Sequence, residues 1–311
     1  ETSQTEIIFL DSREIIITDS TFNGAIPDTE TTYQNMQKNV LQKMGRKTIF
    51  VAQGYIAADD KGRTTTLGRE GSDYTAALFA AGINADCCEI WTDVDGIYFA
   101  DPRILPQAKK IEEILFADAS RLAEAGAKIL FPKTLYPVKE KAIPVFIGSS
   151  IHPEKGGTWI LPETKKGRDL NILGITFHER VEAFRLLAKE GDESFKKIER
   201  NLKALQALKK IFPVFAEKLA GHYLLVTKRP QIEDERLLDL FRQFSTPEAY
   251  PHLVLMSVIG KNLAPFELAL QKNLEEWKQR FFELSWVKKE SVIHQFLILQ
   301  THLTEFAQVL Q

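Results

Sequence analysis

The 311 residues make one large domain or two ordinary ones, long enough to bury a substantial core. With 40 Lys plus Arg against 42 Asp plus Glu, a net charge of -2, 44% hydrophobic and 26% charged residues, the chain reads as a folded globular protein without an electrostatic footprint for nucleic acid or an anionic membrane. No apolar run approaches the roughly 18 residues of a membrane span, no secretory signal opens the chain, and its only cysteines, Cys87 and Cys88, are neighbours with no zinc-clamp spacing, so a reduced, cytoplasmic protein is expected.

The apolar run 48–57, TIFVAQGYIA, predicts a strand covered on both faces. A turn at Asp59-Asp60-Lys61-Gly62 leads to RTTTL, a second strand. Gly68-Arg69-Glu70-Gly71-Ser72-Asp73 then opens a helix over YTAALFAAG, with Ser72 or Asp73 as cap and Gly82 as stop. The pattern repeats: CCEIWTDV as a strand, a loop through Asp101-Pro102-Arg103, a helix near Ala117 to Ala125, and a final strand at IPVFIGSS. Strands alternating with helices predict a parallel α/β sheet.

Pro, Gly and charge concentrate from His152 to Arg168, which places a domain boundary there. Beyond it the order changes to a strand at ILGITFH, a helix carrying Phe195, Ile198, Leu202, Leu205 and Leu208, strands at PVFAEKL and HYLLVTK, and a helix at LLDLFRQF. LVLMSVIG, PFELALQKNLEEWKQR, the hairpin arms FFELSWV and VIHQFLIL, and LTEFAQVL repeat that βαββα order.

The loop TTTLGREGSD carries the most chemistry. Its glycines let backbone amides approach an anion, Arg69 offers a planar fork for a carboxylate or phosphate, and the following helix presents its positive end. A plain structural turn competes with that reading on even terms. In WTDVDGIYFADPR, at a strand end where open α/β sheets place ligands, Thr92, Asp93, Asp95, Asp101 and Arg103 are either ligand groups or an aspartate-rich turn bonding its own backbone. Lys128 either reaches a phosphate or snorkels to solvent. The scattered His178, His222, His252, His294 and His302 have no metal-ligand spacing, and no metal site is expected.

Together these segments resemble the aspartokinases of the amino acid kinase superfamily. The resemblance runs from Asp11 to about Thr158, through Asp11-Ser12-Arg13, FNGAIPD, KGRTTTLGREGSDYTAAL, IWTDVDGIYFADPR, AGAKILFPKTLYP and IPVFIGSS followed by GGT. It implies part of a three-layer α/β/α kinase domain over residues 1–160, followed by two α+β ACT-like βαββα modules at 169–248 and 249–311 that pair sheet edges between chains into a homodimer. It further implies ATP with Mg2+ as cofactor and L-aspartate as substrate. Arg69 would clamp the α-carboxylate, Glu70, Gly71 and Ser72 would complete the substrate loop, and Asp73 would stand near the ammonium or the catalytic lysine. Thr92, Asp93, Tyr98, Arg103, Lys128 and Ile129 would line the ATP site. Glu70 stands where many relatives carry glycine.

Aspartokinases open on a Lys-Phe-Gly-Gly turn that holds the transferred phosphate, and no such turn occurs here. The chain also begins at Glu1 rather than Met. The expectation is a chain lacking that segment and inactive by itself, its rival a non-catalytic regulatory relative. The ACT-like half lacks the usual loop glycine, Gly191 and Gly260 being its nearest candidates, so packing and dimerisation without effector binding are expected.

Overall fold

The computed structural model describes residues 5–127, 132–163, 172–189, 191–207, 213–219, 222–228, 239, 241–243, 245–264, 285–290 and 293–299. The chain divides into two compact units, Glu1–Phe99 with Ala108–Leu170, and Ala100–Gln107 with Asn171–Gln311.

The first unit runs β1 (Glu6–Leu10), α1 (Ser12–Ile15), β2 (Ile17–Thr18), α2 (Thr29–Asn39), β3 (Thr48–Ala52), β4 (Ile56–Asp59), β5 (Thr64–Thr66), α3 (Gly71–Ile83), β6 (Cys88–Thr92), β7 (Ile97–Tyr98), β8 (Lys110–Ile111), β9 (Glu113–Leu115), α4 (Phe116–Glu124), α5 (Pro132–Glu140), β10 (Val145–Ser149) and β11 (Gly157–Leu161). β1 pairs with β3 and β6 with β10 in parallel, whereas β11 returns antiparallel to β10 and lies parallel to β9. A smaller sheet orders β2-β4-β5. Ile15, Ile16, Met36, Ala57, Leu67 and Leu78 form one buried cluster, flanked by Tyr33, Tyr74, Phe79 and Ile83. Ile7, Phe9, Ile49 and Val51 alternate with inward residues on the paired β1 and β3, and all four are exposed.

Two local expectations change. The run 48–57 is two strands rather than one, because Tyr55 takes a left-handed backbone at φ 76 and its amide donates to Thr75 Oγ1 at 3.0 Å; β3 is consequently half-exposed rather than covered on both faces. Neither Ser72 nor Asp73 caps α3. Glu70 occupies the cap position at φ 53 without capping the helix through its side chain, and Asn84, at φ 49, ends the helix instead of Gly82. Gly82 lies inside the helix because α2 crosses there: an added Cβ would stand 2.2 Å from Met36 Sδ and 2.9 Å from Tyr33 Cδ1.

The second unit contains β12 (Ile172–Ala188), α6 (Gly191–Ala207), β13 (Pro213–Leu219), β14 (His222–Lys228), β15 (Ser245–Gly260), β16 (Ser285–Glu290) and β17 (Ile293–Leu299). They form one six-stranded sheet in the order β13-β14-β12-β15-β17-β16. The long strands β12 and β15 pair antiparallel at its centre. Each half repeats the order second, third, first strand outward-in, so the repeat read from the sequence is joined edge to edge within one chain. The strand expected at ILGITFH runs on as far as Ala188 in β12. Phe184 and Leu186 pack with Phe195, Ile198 and Leu202 of α6, while Val181 and Ala183 alternate into a cluster with Leu224, Val226, Leu253 and Leu255. Strand period explains that division. The register slips at His178/Val181, where Arg180 and, across on β15, His252 have left-handed φ values of 56 and 61. The expected helices at 265–280 and 303–310 lie outside the described residues.

Candidate functional site

β5 delivers the chain into a tight loop ahead of α3. Leu67 N donates to Tyr55 O at 3.0 Å, Gly68 turns left-handed at φ 80, and Gly71 N donates to Gly68 O at 3.0 Å. The loop sets Arg69, Glu70, Gly71, Ser72 and Asp73 consecutively around the positive end of α3. The Arg69 side chain is 76% exposed, with Nε 3.7 Å from Glu70 Oε1. Ser72 is exposed and Asp73 half-buried. Burial first, and the Glu70 charge second, push the Asp73 carboxyl above its ordinary range. A cation, a hydroxyl and a helix N-terminus, each a group able to bind a carboxylate, thus follow one another within this loop.

Sequence reasoning missed what supports this loop. A Cβ on Gly54 would lie 2.8 Å from Ser72 Oγ, and one on Gly71 would lie 2.7 Å from Tyr55 Cδ2. Thr75 Oγ1 donates to Gly71 O at 2.8 Å while accepting from Tyr55 N. Ser12, fully buried, donates through its amide to Gln53 Oε1 at 2.9 Å and through Oγ to Gln53 O at 2.5 Å. The signal that could have found these contacts is Gly54 itself, since a glycine inside an apolar strand run marks a bend or a close approach.

The second candidate set sits at the carboxyl end of β6. Thr92 Oγ1 donates to Asp93 Oδ1 at 3.1 Å, and Ser150 N and Oγ both donate to Thr92 O, at 2.8 and 3.0 Å. Tyr98 Oη donates to Asp95 Oδ2 at 3.0 Å; burial and that bond raise the phenol. Thr158 Oγ1, from the GGT block, accepts from Ile97 N at 2.8 Å and donates to Ile111 O at 2.5 Å. Arg103 falls in the second unit. Its amide and Nε donate to Asp101 Oδ1 at 3.0 and 2.9 Å, and Nη2 to Oδ2, which is the self-bonded aspartate turn weighed above. Lys128 and Ile129 lie outside the described residues. Among the described residues no group of three or more His, Cys, Asp or Glu is arranged to hold a metal ion, and no helix is long and apolar enough to cross a membrane. Cys87 and Cys88 are free thiols.

The model of the amino acid kinase family matches residues 6–149, so the first unit is an amino acid kinase domain. Lysine-sensitive aspartokinase 3 of Escherichia coli (strain K12) is 45% identical over 157 residues, 50% of this chain and 35% of that protein. The aspartokinase of Chlamydia pneumoniae is 29% identical over 268 residues, 82% of this chain and 58% of its own length. Among solved structures, E. coli aspartokinase III in complex with lysine and aspartate superposes with a TM-score of 0.81 at 28% identity, covering 98% of this chain and 68% of that one. Its complex with aspartate and ADP gives 0.75 at 29%, covering 99% and 69%. The relatives and solved structures named above are all aspartokinases, and the chain is similar to them over its first unit and, at lower identity, over most of its length. It spans 35% and 58% of the length of the two curated relatives named above.

Proposed function

We propose that this polypeptide serves ATP-dependent phosphorylation of the β-carboxylate of L-aspartate to 4-phospho-L-aspartate, the first step of lysine, threonine, methionine and diaminopimelate biosynthesis, in the cytoplasm. The observation that carries this reading is the joint placement of exposed Arg69 and Ser72 with half-buried Asp73 at the start of α3. Arg69 holds the α-carboxylate through its fork and Ser72 adds a hydrogen bond to the same group. Asp73 faces the ammonium. The β-carboxylate is ionised at neutral pH, so no side chain need remove a proton from the nucleophile. The work left to the protein is alignment and charge stabilisation.

Thr92 and Asp93 at the carboxyl end of β6 and Tyr98 on β7 supply the polar groups for ATP, with Lys128 and Ile129 proposed as further ATP contacts. The hydroxyl and carboxylate donor set there suits a nucleoside better than a bare ion. Mg2+ would arrive on the nucleotide phosphates, as that ion commonly binds. Among the described residues β13 and β16 are the outer strands of the second unit's sheet, whose two halves already pair, and we assign the unit to homodimer formation through such edges.

We also propose that the 311 residues alone turn over poorly, since no Lys-Phe-Gly-Gly turn is available to support the developing phosphoryl charge; one such preorganised donor is typically worth about 10²- to 10³-fold in rate. Trapping aspartyl phosphate as its hydroxamate tests both statements. Joining a Lys-Phe-Gly-Gly-bearing aspartokinase segment to the chain should produce ATP- and aspartate-dependent hydroxamate. A joined protein that phosphorylates another amino acid in preference to aspartate overturns the substrate, and a fast reaction by the 311 residues alone overturns the second statement.

A further inference from the structure

A cluster in the first unit, used by no step above, ties a separate loop to the substrate loop. Residues 19–26 form a closed loop: Asp19 N donates to Ile26 O at 3.0 Å, and Asp19 Oδ1 accepts from Thr21 N at 3.2 Å and Ile26 N at 3.1 Å. Its one side is fastened to the β4–β5 hairpin. Ser20 Oγ donates to Asp59 Oδ2 at 3.1 Å, Arg63 Nη2 donates to Ser20 Oγ at 3.1 Å, and Arg63 Nε donates to Asp59 Oδ2 at 2.8 Å. The Arg63 guanidinium stands 5.0 Å from the centre of the Phe22 ring, a cation–π distance.

The other side of the loop meets the strand that leads into the substrate loop. Thr66 Oγ1 donates to Phe22 O at 2.8 Å, and Gly24 N and Ala25 N both donate to Thr66 O, at 3.0 and 2.9 Å. Gly24 then packs against Gly68 so closely that a Cβ on Gly68 would lie 2.9 Å from Gly24 Cα. Gly68 is the residue before Arg69. Displacement of the 19–26 loop therefore moves the backbone from which the guanidinium projects.

We infer that Asp59 and Arg63 are positioning residues for carboxylate recognition: through Ser20 and Phe22 they hold the 19–26 loop against Gly68 and so fix the place of Arg69. This rests on the aspartate reading of the Arg69 loop. Arg63 suits the task because one planar fork serves Asp59 and Ser20 while its face covers an aromatic ring, which a lysine ammonium cannot reproduce. The Asp59 side chain is fully buried, whereas the Arg63 and Ser20 ends of the cluster reach the surface, so the loop can be loosened without emptying the core.

The experiment combines hydrogen exchange with calorimetric titration of L-aspartate and of ATP, on the unaltered chain and on Arg63→Ala, Arg63→Lys, Ser20→Ala and Arg69→Ala. Arg63→Ala should speed exchange at the Gly24 and Ala25 amides and weaken aspartate roughly tenfold, the size of one charge-assisted hydrogen bond, while ATP stays within about twofold. Arg63→Lys should recover part of the loss; Ser20→Ala, which keeps the buried pair, covers the case in which Arg63→Ala fails to fold and should show a smaller loss of the same kind. Normal aspartate affinity in a folded Arg63→Ala or Ser20→Ala, together with loss in Arg69→Ala, overturns the positioning role and leaves the substrate loop standing. Equal weakening of both ligands also overturns it, as that is a merely structural effect. Unchanged affinity in Arg69→Ala, or no aspartate binding by the unaltered chain, overturns the substrate reading itself and the positioning role with it.

Discussion

Gly54 and Ser72 are in such close contact that a methyl group on Gly54 would lie 2.8 Å from Ser72 Oγ, 2.9 Å from its Cβ and 3.0 Å from its Cα. The strand break after β3 therefore sets the height of the first turn of α3. Gly54→Ala must push that turn away, because two of the three contacts are to Cβ and backbone rather than to a side-chain tip that can swing aside. The expected result is an aspartate affinity reduced about tenfold or more with helix content retained, since misplacement on the scale of an ångström is costly to a preorganised site. Titration calorimetry beside far-ultraviolet circular dichroism measures both, and undiminished affinity would show that Ser72 is not held by this contact.

Glu70 occupies a left-handed conformation at φ 53 that costs a side chain roughly 1–2 kcal/mol. Its exposed contact with Arg69, at 3.7 Å, returns little. Glu70→Gly should stabilise the fold by about 0.5–1 kcal/mol after glycine's larger entropy loss is counted. The same change removes a charge that raises Asp73. A carboxyl raised in the folded state binds protons more tightly there, so stability falls as pH climbs from the ordinary aspartate value through the raised one. That fall should be smaller in Glu70→Gly, as thermal melts across the carboxylate range will show.

Burial alone would raise Asp59, yet hydrogen bonds from the Arg63 side chain and backbone, Ser20 and the Lys61 amide bring it down from 3.8 to about 2. A lowered carboxyl contributes stability above its unfolded value and loses it as pH falls through the folded one. The wild type should accordingly lose stability between about pH 3.8 and 2 by an amount absent in Asp59→Asn. Denaturant melts at stepped pH provide the comparison, and parallel acid profiles for the two proteins would contradict it.

At Gly82 an added Cβ meets Met36 Sδ at 2.2 Å, and Met36 is fully buried. Helix propensity favours alanine by about 1 kcal/mol, but overpacking costs about 1–3 kcal/mol. Gly82→Ala should be destabilised despite its better propensity, and Met36→Ala in the same chain should remove most of the penalty. Additive losses in the double variant would place the strain elsewhere.

The glycine loop ahead of α3 and the end of β6 were legible in the sequence, because Gly68 has to turn left-handed at φ 80 and Thr92 closes an apolar strand. β13 and β14 were also readable to their limits, since alternation and bounding turns agree there. What escaped were relationships made by distant contacts. Gly82 looks like a helix stop until α2 is seen to require its missing side chain. The expected strand ILGITFH stops short of the charged HERVE stretch, and only burial in a central strand carries β12 on to Ala188. The edge-to-edge joining of the repeated units within one chain depends on pairing 172–188 with 245–260, a long-range choice that periodicity does not encode.

Titration of L-aspartate and ATP into the chain and into Arg69→Lys addresses the central claim most directly, because lysine keeps the charge and loses the two-point grip. Saturable aspartate binding that weakens about tenfold in Arg69→Lys, with ATP changed less than about twofold, is the outcome predicted for a guanidinium that clamps the α-carboxylate. Equal weakening of both ligands, or aspartate binding indifferent to the substitution, would contradict it.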